Sequence, residues 1–213
     1  AEHECKWFGV KCNLSKRVVE IGMGYNNIGG VLPREIGDLT MIKILDLHGN
    51  ELTSVIPIRI TELKRLEVLM LHMNGLFGAL SNEFGALTNL RELYLYGNYL
   101  GGKLPKEIGN LSNLEILDVA SNLMEGAIPE SFGNLHKLKE IYLDDNNFSG
   151  TIKNYATKNS KQKSPSTSLC SLKKLKVLQA DCLAKPTKEV DCQCCTTCCN
   201  DRADPKCVKV SAS

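Results

Sequence analysis

The chain of 213 residues carries 26 Lys and Arg against 24 Asp and Glu, a formal net charge of +2. Its lysines are scattered and form no basic stripe with aromatic residues, so we expect no nucleic acid partner. No apolar run approaches the roughly 20 residues of a membrane-spanning helix, which argues against membrane insertion. The length fits one elongated domain.

Between residues 21 and 153 one pattern recurs six times at a period of 24 residues. Each unit is marked by an asparagine: Asn26, Asn50, Asn74, Asn98, Asn122 and Asn146. Apolar residues stand five and three positions before each Asn, as Leu93 and Leu95 do before Asn98, which predicts a short strand with one buried face. Such a period is typical of a solenoid whose coils stack because none buries its apolar face alone.

The second half of each unit predicts a short turn on the return path. Ile108, Leu111 and Leu114 are spaced by three, which suits a 3₁₀ or short helical turn. The repeated Asn carries both a donor and an acceptor. Inside the turn it is expected to satisfy backbone groups whose loss of a partner costs about 1–3 kcal/mol each.

These residues carry a family resemblance. The unit L-x-x-L-x-L-x-x-N-x-L-x-G-x-I-P-x-x-I-G-x-L, found at residues 90–111, resembles the plant-specific type of extracellular leucine-rich repeat. The segment from Cys5 to Cys12 is similar to that family's cap, so residues 1–20 are expected to form an N-terminal cap. The resemblance implies a right-handed curved solenoid with a parallel β-sheet on the concave side. It also implies 3₁₀ or short helical turns on the convex side, and usually a second short sheet.

The period fails after Ile152. Residues 154–168 are rich in Ser and Lys and are predicted to form an inserted loop, either a plain exposed loop or a basic partner-binding one. Beyond it, Leu172, Leu175 and Leu178 match Leu135, Leu138 and Ile141 after a delay of 13 residues. Residues 169–213 are therefore expected to hold a last partial repeat and a Cys-rich C-terminal cap, with Leu183 in place of the next Asn.

All ten cysteines lie near the two ends, at Cys5, Cys12, Cys170, Cys182, Cys192, Cys194, Cys195, Cys198, Cys199 and Cys207. This placement is typical of an oxidised, secreted solenoid whose end coils are stapled by disulfides. We expect Cys5 to pair with Cys12 and to hold Trp7 over the first coil. The other eight allow on the order of 100 pairings. A zinc site at Cys195 and Cys198 is the alternative to a disulfide cap. The tail resembles those of secreted leucine-rich-repeat proteins of diatoms and related algae.

The predicted location is secreted or extracellular, with an oxidising organelle lumen as the alternative. The chain begins almost at the cap, which suggests a processed N-terminus. Three glycosylation sequons, at Asn13, Asn110 and Asn147, fall in predicted loops.

Candidate binding residues follow from the strand alternation, which turns the residues one, two and four positions before each Asn outward. They form a contiguous patch of His48, Met70, His72, Met73, Tyr94 and Tyr96, flanked by Asp118, Tyr142, Asp144 and Asp145. Exposed aromatic and Met residues are enriched in interface cores. The alternative is that such sheets carry them without any partner. The two histidines could share a metal or repel each other near pH 6, but two ligands are too few for a strong metal site.

We expect no catalysis and no cofactor. Asp46 lies near the histidines, but no Ser or Cys accompanies them in the patch, and an open sheet offers no pocket. The sequence predicts a secreted recognition module that binds a protein, peptide or glycan through its concave face. The alternative is a structural or assembly subunit of an extracellular matrix or large complex.

Overall fold

Stacked coils of 24 residues form a curved solenoid that is right-handed, as parallel crossover connections favour. The computed structural model describes residues 3–152, 169–181, 190–192, 195–199 and 207–209. The predicted loop at 154–168, Cys182, Cys194 and Leu183 lie outside these described residues. We number the coils one to six by their asparagines, from Asn26 to Asn146.

One ten-stranded sheet covers the concave side. In spatial order its strands are Val10–Cys12, Val18–Gly22, Ile44–Asp46, Val68–Met70, Glu92–Tyr94, Ile116–Asp118, Glu140–Tyr142, Val177–Asp181, Thr197–Cys199 and Cys207–Lys209. Neighbouring coils pair in parallel at the 24-residue period, so that Leu93 lies beside Leu117 and Leu117 beside Ile141. Leu178 then lies beside Ile141. The delayed match predicted from the sequence is therefore confirmed.

A second, lateral sheet follows each concave strand along the chain. Its four paired strands are Phe77–Ala79, Tyr99–Lys103, Leu123–Gly126 and Asn147–Phe148, with a separate pair of Gly29–Gly30 and Glu51–Leu52. Strand Gly150–Ile152 pairs with Val190–Cys192. The lateral strands pair residues that are 22 apart, as Phe77 pairs with Tyr99. Side chains of this sheet are therefore staggered from coil to coil, unlike those of the concave sheet.

Short 3₁₀ helices form the convex side. They span Glu4–Lys6, Arg34–Asp38, Ile58–Glu62, Asn82–Ala86, Lys106–Asn110, Glu130–Asn134 and Leu169–Ser171. The turn predicted around Ile108 is confirmed, and Leu111 and Leu114 behind it are fully buried. Gly109 is required by close stacking, because a Cβ there would lie 2.4 Å from the Ser131 carbonyl oxygen of the next coil. None of the described helices is long and apolar enough to cross a membrane.

The core is one continuous column of apolar side chains. Leu93 and Leu95 show its pattern, since the residues five and three positions before each Asn are buried in coils two to six. In the first coil the equivalent Ile21 and Met23 are only partly buried, because the cap covers them incompletely. Burial of such side chains drives the stacking, at about 25 cal/mol per Å² of apolar surface.

The asparagines tie each coil to the one before it. Asn98 Oδ1 accepts from the backbone N–H of Leu76 at 3.0 Å, while its Nδ2 donates to the carbonyls of Leu71 and Leu95, each at 3.0 Å. The same bridging pattern occurs at the other Asn positions of coils two to six: Asn50, Asn74, Asn122 and Asn146. Asn26 has no preceding repeat, is exposed, and donates to the Gly24 carbonyl at 2.6 Å.

The N-terminal cap is an antiparallel strand stapled by a disulfide. Cys5 is bonded to Cys12, as expected, and Val10–Cys12 pairs with Val18–Gly22. The expectation that Trp7 covers the first coil is only partly met. Trp7 lines an apolar cavity of about 550 Å³ with residues such as Ile21, yet 57% of it stays exposed, so it leans on the edge of the coil.

The Cys-rich segment extends the concave sheet beyond the point where the asparagines stop, which the sequence did not predict. Thr197–Cys199 pairs in parallel with Val177–Asp181, and Cys207–Lys209 closes the edge in an antiparallel arrangement. Cys170 and Cys195 are disulfide-bonded. The zinc alternative at Cys195 is therefore wrong, because an oxidised cysteine has no thiolate to offer a metal.

The sequons occupy three kinds of position rather than three loops. Asn13 lies in the turn after the capping strand, as expected. Asn110 is the last residue of a 3₁₀ helix and Asn147 the first residue of a lateral strand, and both are exposed. Occupancy of these sites stays a prediction.

Candidate recognition surface

The concave face is built from four columns of outward-facing residues, at six, four, two and one positions before each Asn. In each strand of coils two to six the middle residue is buried and its two neighbours are half-buried. Sequence reasoning used three of these columns and missed the one six positions before Asn. That column holds Glu20, Ile44, Val68, Glu92, Ile116 and Glu140. The same alternation of two that placed the other columns would have found it.

The residue directly before each Asn has a left-handed backbone in all six coils. Glycine, which tolerates this conformation, occupies two of these sites, Gly49 with φ of 61° and Gly97 with φ of 64°. The other four are Tyr25, Met73, Ser121 and Asp145, with φ between 51° and 55°. A bulky side chain in this region is strained by about 1–2 kcal/mol. Tyr25 and Met73 therefore occupy positions at which glycine would adopt the same backbone without strain.

Four rings form a continuous stack across coils one to four, which we call the aromatic ladder: Tyr25, His48, His72 and Tyr96. Tyr25 meets His48 edge-on, with ring centroids 4.7 Å apart. His48 and His72 stack at 4.6 Å, and His72 and Tyr96 stack at 4.4 Å. The Tyr25 hydroxyl lies 3.4 Å from Met73 Sδ. The predicted patch is therefore brought together, and Tyr25 extends it by one coil.

Two glycines make the ladder possible. A Cβ on Gly24 would lie 2.3 Å from the His48 ring, and a Cβ on Gly49 would lie 2.4 Å from the Tyr25 ring. Any other residue at either position would push the ring out of the stack. The sequence-based prediction did not include Tyr25 among the binding residues. The signal was present in the sequence, because the position directly before Asn holds Tyr25, Gly49, Met73 and Gly97 in turn, so a large side chain alternates with glycine.

The two histidines have different surroundings. His48 Nδ1 lies 2.5 Å from Asp46 Oδ1, which fixes its ring. His72 lies between two rings, is only 8% exposed, and its buried Nδ1 has no hydrogen-bond partner. Burial, and secondarily the neighbouring His48, lowers the pKa of His72 to about 4, although Asp46 opposes the shift. His72 is therefore neutral at physiological pH.

The stacking also argues against a shared metal. The rings of His48 and His72 are nearly parallel, with an angle of 16° between them, so their in-plane lone pairs do not converge on one point. Within the described ranges, no group of three or more His, Cys, Asp or Glu side chains could hold a metal ion. The structure offers these histidines as stacking surfaces rather than as ligands.

The tyrosines four positions before Asn keep their hydroxyl protons. Tyr94 donates to Glu92 at 3.3 Å, and Tyr142 donates to Glu140 at 3.0 Å. Burial first, with the nearby carboxylates, raises the pKa of both tyrosines to about 12. Tyr94, Asp118 and Tyr142 lie side by side in register, as Met70 and Tyr94 do. The predicted acidic flank thus continues directly from the patch.

Asp118 is a carboxyl of the flank whose pKa is strongly shifted by its surroundings. Its Oδ1 accepts from the Ala120 N–H at 3.1 Å. Burial raises its pKa to about 6, the Ala120 N–H partly offsets this shift, and the carboxylate of Asp144 adds to it. Asp118 is therefore only partly ionised just above pH 6. The surface combines closely stacked aromatic rings with carboxylates.

Comparison with known proteins places this geometry in a family. A family model described as Leucine rich repeat matches residues 103–148, and a second of that description matches residues 89–111. The LRR receptor-like serine/threonine-protein kinase FEI 2 of Arabidopsis thaliana is 41% identical over 49 residues, which are 22% of this chain and 8% of that protein. The chain thus spans well under a tenth of such curated relatives.

Solved structures match over a longer stretch. The crystal structure of PEPR1–AtPEP1 superposes with a TM-score of 0.69 and 34% identity, covering 71% of this chain and 21% of that one. The LRR ectodomain of the receptor kinase SOBIR1 from Arabidopsis thaliana gives a TM-score of 0.64 and 34% identity, covering 68% of this chain and 83% of that one. With this coverage of a complete ectodomain and both family models on its repeats, the chain belongs to the leucine-rich-repeat proteins.

Proposed function

We propose that this chain is a non-catalytic recognition module that binds a protein or peptide through its concave sheet. The structural relatives are binding modules, among them one solved as PEPR1–AtPEP1 and one as a plant peptide hormone receptor, RGFR1, in complex with RGF2. Those partners belong to those proteins. A glycan ligand is the less favoured form of the same proposal.

The aromatic ladder is the observation that carries the proposal. The concave positions of Tyr25, His48, His72 and Tyr96 lie outside a core that is already filled by leucines, and His72 is covered there by its neighbours in the stack. Packing therefore does not require rings there. The strained backbone at Tyr25 and Met73 also supports a binding role, because strained residues cluster at functional sites. Stacked rings presented on a rigid sheet are a pre-organised contact surface.

The experiment uses the protein immobilised under oxidising conditions to capture partners from its native source. The double variant Tyr94→Ala/Tyr96→Ala should lower capture at least about tenfold, as expected when interface anchors are removed. Tyr99→Ala is the matched control, since Tyr99 is an exposed tyrosine on the lateral sheet. Loss of capture with Tyr99→Ala alone would move the interface to the lateral sheet and overturn the proposal.

The proposed location is secreted or extracellular, with an oxidising organelle lumen as the alternative. It is supported by the Cys5–Cys12 disulfide, by bonded Cys170 and Cys195, and by the likeness to receptor ectodomains. Glycosylation at Asn13, Asn110 and Asn147 belongs to the same proposal. We also propose that the Cys-rich tail is of the kind found in secreted leucine-rich-repeat proteins of diatoms and related algae.

A structural or assembly role is the second candidate, and one observation favours it. The lateral side exposes large apolar residues at 50–69% of their surface: Val31, Val55, Phe77, Tyr99 and Leu123. Contiguous exposed apolar surface marks an interface more often than a free face. Within it Phe77 pairs directly with Tyr99 and bridges to Val55.

The lateral surface is tested by the size of the native particle. An assembly subunit would sediment in a stoichiometric complex, and Phe77→Ser/Leu123→Ser would release it as a monomer. A concave recognition module would sediment identically with and without these substitutions. Comparing the two variants, lateral and concave, in one experiment therefore separates the two candidate functions.

A further inference from the structure

The concave face has a strong local charge bias, and this bias indicates the kind of partner it accepts. Its four columns in coils one to six comprise 24 described positions, with no Lys or Arg among them. Seven of the positions are carboxylates: Glu20, Asp46, Glu92, Asp118, Glu140, Asp144 and Asp145. Residues 1–150 hold 19 Asp and Glu against 14 Lys and Arg, and without the seven carboxylates of the face the balance would be 12 against 14, so the acidity of the solenoid lies on this face.

Three of the basic residues nearest to this face are engaged in ion pairs at its rim, and the exposed Lys176 continues the same column beside Lys139. Lys43 pairs with Glu67 at 2.8 Å, and Arg91 pairs with Glu115 at 2.9 Å. Lys139 also pairs with Glu115. These pairs lie seven positions before Asn, outside the four columns, and they join three cations to two carboxylates, since Glu115 is shared by Arg91 and Lys139. The pairs therefore leave one positive charge at the rim and Lys176 adds a second, which is small beside the seven carboxylates of the face.

The negative charge is concentrated at one end. In coil one Lys11 of the capping strand pairs with Glu20 at 2.7 Å, and in coil two Asp46 is held by His48. Coils five and six carry four of the seven carboxylates, among them Asp118 and Asp144. Burial and the Asp144 carboxylate raise the pKa of Asp118 to about 6, so an added cation would be favoured at this point.

Tyr94, which contacts His72 of the aromatic ladder edge-on, adjoins this acidic end. Tyr94 lies in register beside Asp118, so an aromatic ring and a carboxylate occupy paired positions on neighbouring strands. A guanidinium group can stack on an aromatic face while donating to a carboxylate, which an ammonium group does less well. The stacked rings of the ladder cover one another's faces and present their edges, and an aromatic ring packs favourably with its face on such edges, so flat or apolar side chains suit the ladder itself. The combination favours a ligand with two chemically distinct halves.

We propose that the concave face binds an extended basic polypeptide segment, with Arg or Lys side chains on coils five and six and flat side chains on coils one to four. This proposal rests on the proposed recognition function and names its partner class. Six parallel strands span about 24 Å at about 4.8 Å per step. An extended segment of about seven residues covers that distance.

The test uses two synthetic fluorescent nonapeptides with the same Tyr- and Gly-containing frame, one carrying three Arg and the other three Glu. Fluorescence anisotropy should show binding of the Arg peptide alone, weakening as NaCl rises from about 50 to 300 mM. The triple variant Asp118→Asn/Asp144→Asn/Asp145→Asn should lose about tenfold in affinity or more. Asn is chosen because it tolerates the left-handed backbone at position 145 and can keep the bond to Ala120.

The matched control removes the same charge from the convex side. Glu35, Glu83 and Glu130 are exposed residues of the 3₁₀ helices, and Gln at all three should leave affinity within about twofold. Equal loss in both triple variants, or equal binding of the Glu peptide, would overturn the charge assignment. Spermidine that displaces the Arg peptide at the same concentration would assign the site to free polyamines instead of a polypeptide. Thermal unfolding of each variant verifies that it is folded.

Failure of this inference is distinguishable from failure of the recognition function. If Tyr94→Ala/Tyr96→Ala abolishes capture of the native partner while the aspartate variant captures it normally, the concave face recognises a partner that is not basic. If neither variant changes capture, the concave face is not the interface, and both proposals fall. Parallel loss of native capture and of Arg-peptide binding in the aspartate variant supports both.

Discussion

Two ladders run through the same coils, and they differ in what holds them. The asparagine ladder lies inside the turn, where Asn98 joins three backbone groups of two coils. The aromatic ladder lies on the concave surface, where His72 and Tyr96 stack on each other. The first answers a demand of the backbone, because buried polar groups need partners. The aromatic ladder satisfies no backbone group. It depends on the space above Gly24 and Gly49 and on a left-handed backbone at Tyr25.

This difference shows how function is recognised in a repeat protein. A feature that recurs in every coil is explained by stacking alone. The aromatic ladder breaks the repeat: it covers coils one to four and gives way to carboxylates in coils five and six. Departures from the period on the exposed face are therefore the informative positions, and substitutions that affect one ladder and not the other test this view.

The largest effect is expected in the asparagine ladder. Asn98→Leu should lower the free energy of unfolding by at least about 2 kcal/mol, because it leaves buried backbone groups without partners. Asn26→Leu makes the same chemical change at the exposed end, where the side chain donates to the Gly24 carbonyl and has no preceding repeat to bridge. It should cost less than about 1 kcal/mol, as should Lys106→Ala on the surface. Urea unfolding of the three variants measures this, and equal losses would refute the bridging role.

The interior followed from the sequence because each inward position repeats. The period placed the strands, the 3₁₀ turn around Ile108 and the pairing of Leu178 with Ile141 across the break. It also placed His48, His72 and Tyr96 on one face. Alternation along a strand and repetition along a solenoid are backbone properties, and they depend little on the detail of side-chain packing.

Other parts of the surface did not follow from the sequence. The left-handed backbone at Tyr25 and Met73 has no signature in those residues, and only the glycines at 49 and 97 hinted at it. The ring stack depends on side-chain rotamers and on room above Gly24, which a pattern does not contain. The strand at Thr197–Cys199 forms by pairing with Val177–Asp181, a tertiary contact that cysteine spacing does not determine.

An intermediate effect is expected where the two ladders meet, in the column of left-handed residues. Gly49→Ala should cost about 1–2 kcal/mol for the backbone conformation and more for the contact with Tyr25, whose ring would lie 2.4 Å from the new Cβ. Gly97→Ala imposes the same conformation with its nearest neighbour atom at 3.6 Å, so it should cost only the first part.

A double-mutant cycle isolates the ring contact. In a Tyr25→Ala background the cost of Gly49→Ala should fall to that of Gly97→Ala, a coupling of at least about 0.5 kcal/mol. Thermal or urea unfolding of the four proteins provides the measurement. If Gly49→Ala costs the same in both backgrounds, then Tyr25 does not depend on Gly49 for its place in the stack.

The smallest effect is a pH dependence with opposite signs at two sites of the concave face, His72 in coil three and Asp118 in coil five. The folded pKa of His72, about 4, lies below its ordinary value of 6.5, so between these values the unfolded chain binds the proton more readily. His72 therefore lowers stability as pH falls through that window. The folded pKa of Asp118, about 6, lies above its ordinary 3.8, so the folded chain keeps the proton better and stability rises as pH falls from 6 toward 4.

Substitution at each site should reveal the two opposing contributions. From pH 7.5 to 4.5, His72→Phe should lose less stability than the wild type and Asp118→Asn should lose more, each by on the order of 1 kcal/mol. The comparison uses the slope of the free energy of unfolding against pH, so a loss of packing that is the same at every pH does not affect it. Curves that run parallel to the wild type would mean that neither group is perturbed by the surface. If only His72→Phe changes the pH dependence of stability, then the pKa of His72 is shifted and that of Asp118 is not. Asp118 would then no longer be a point where an added cation is favoured.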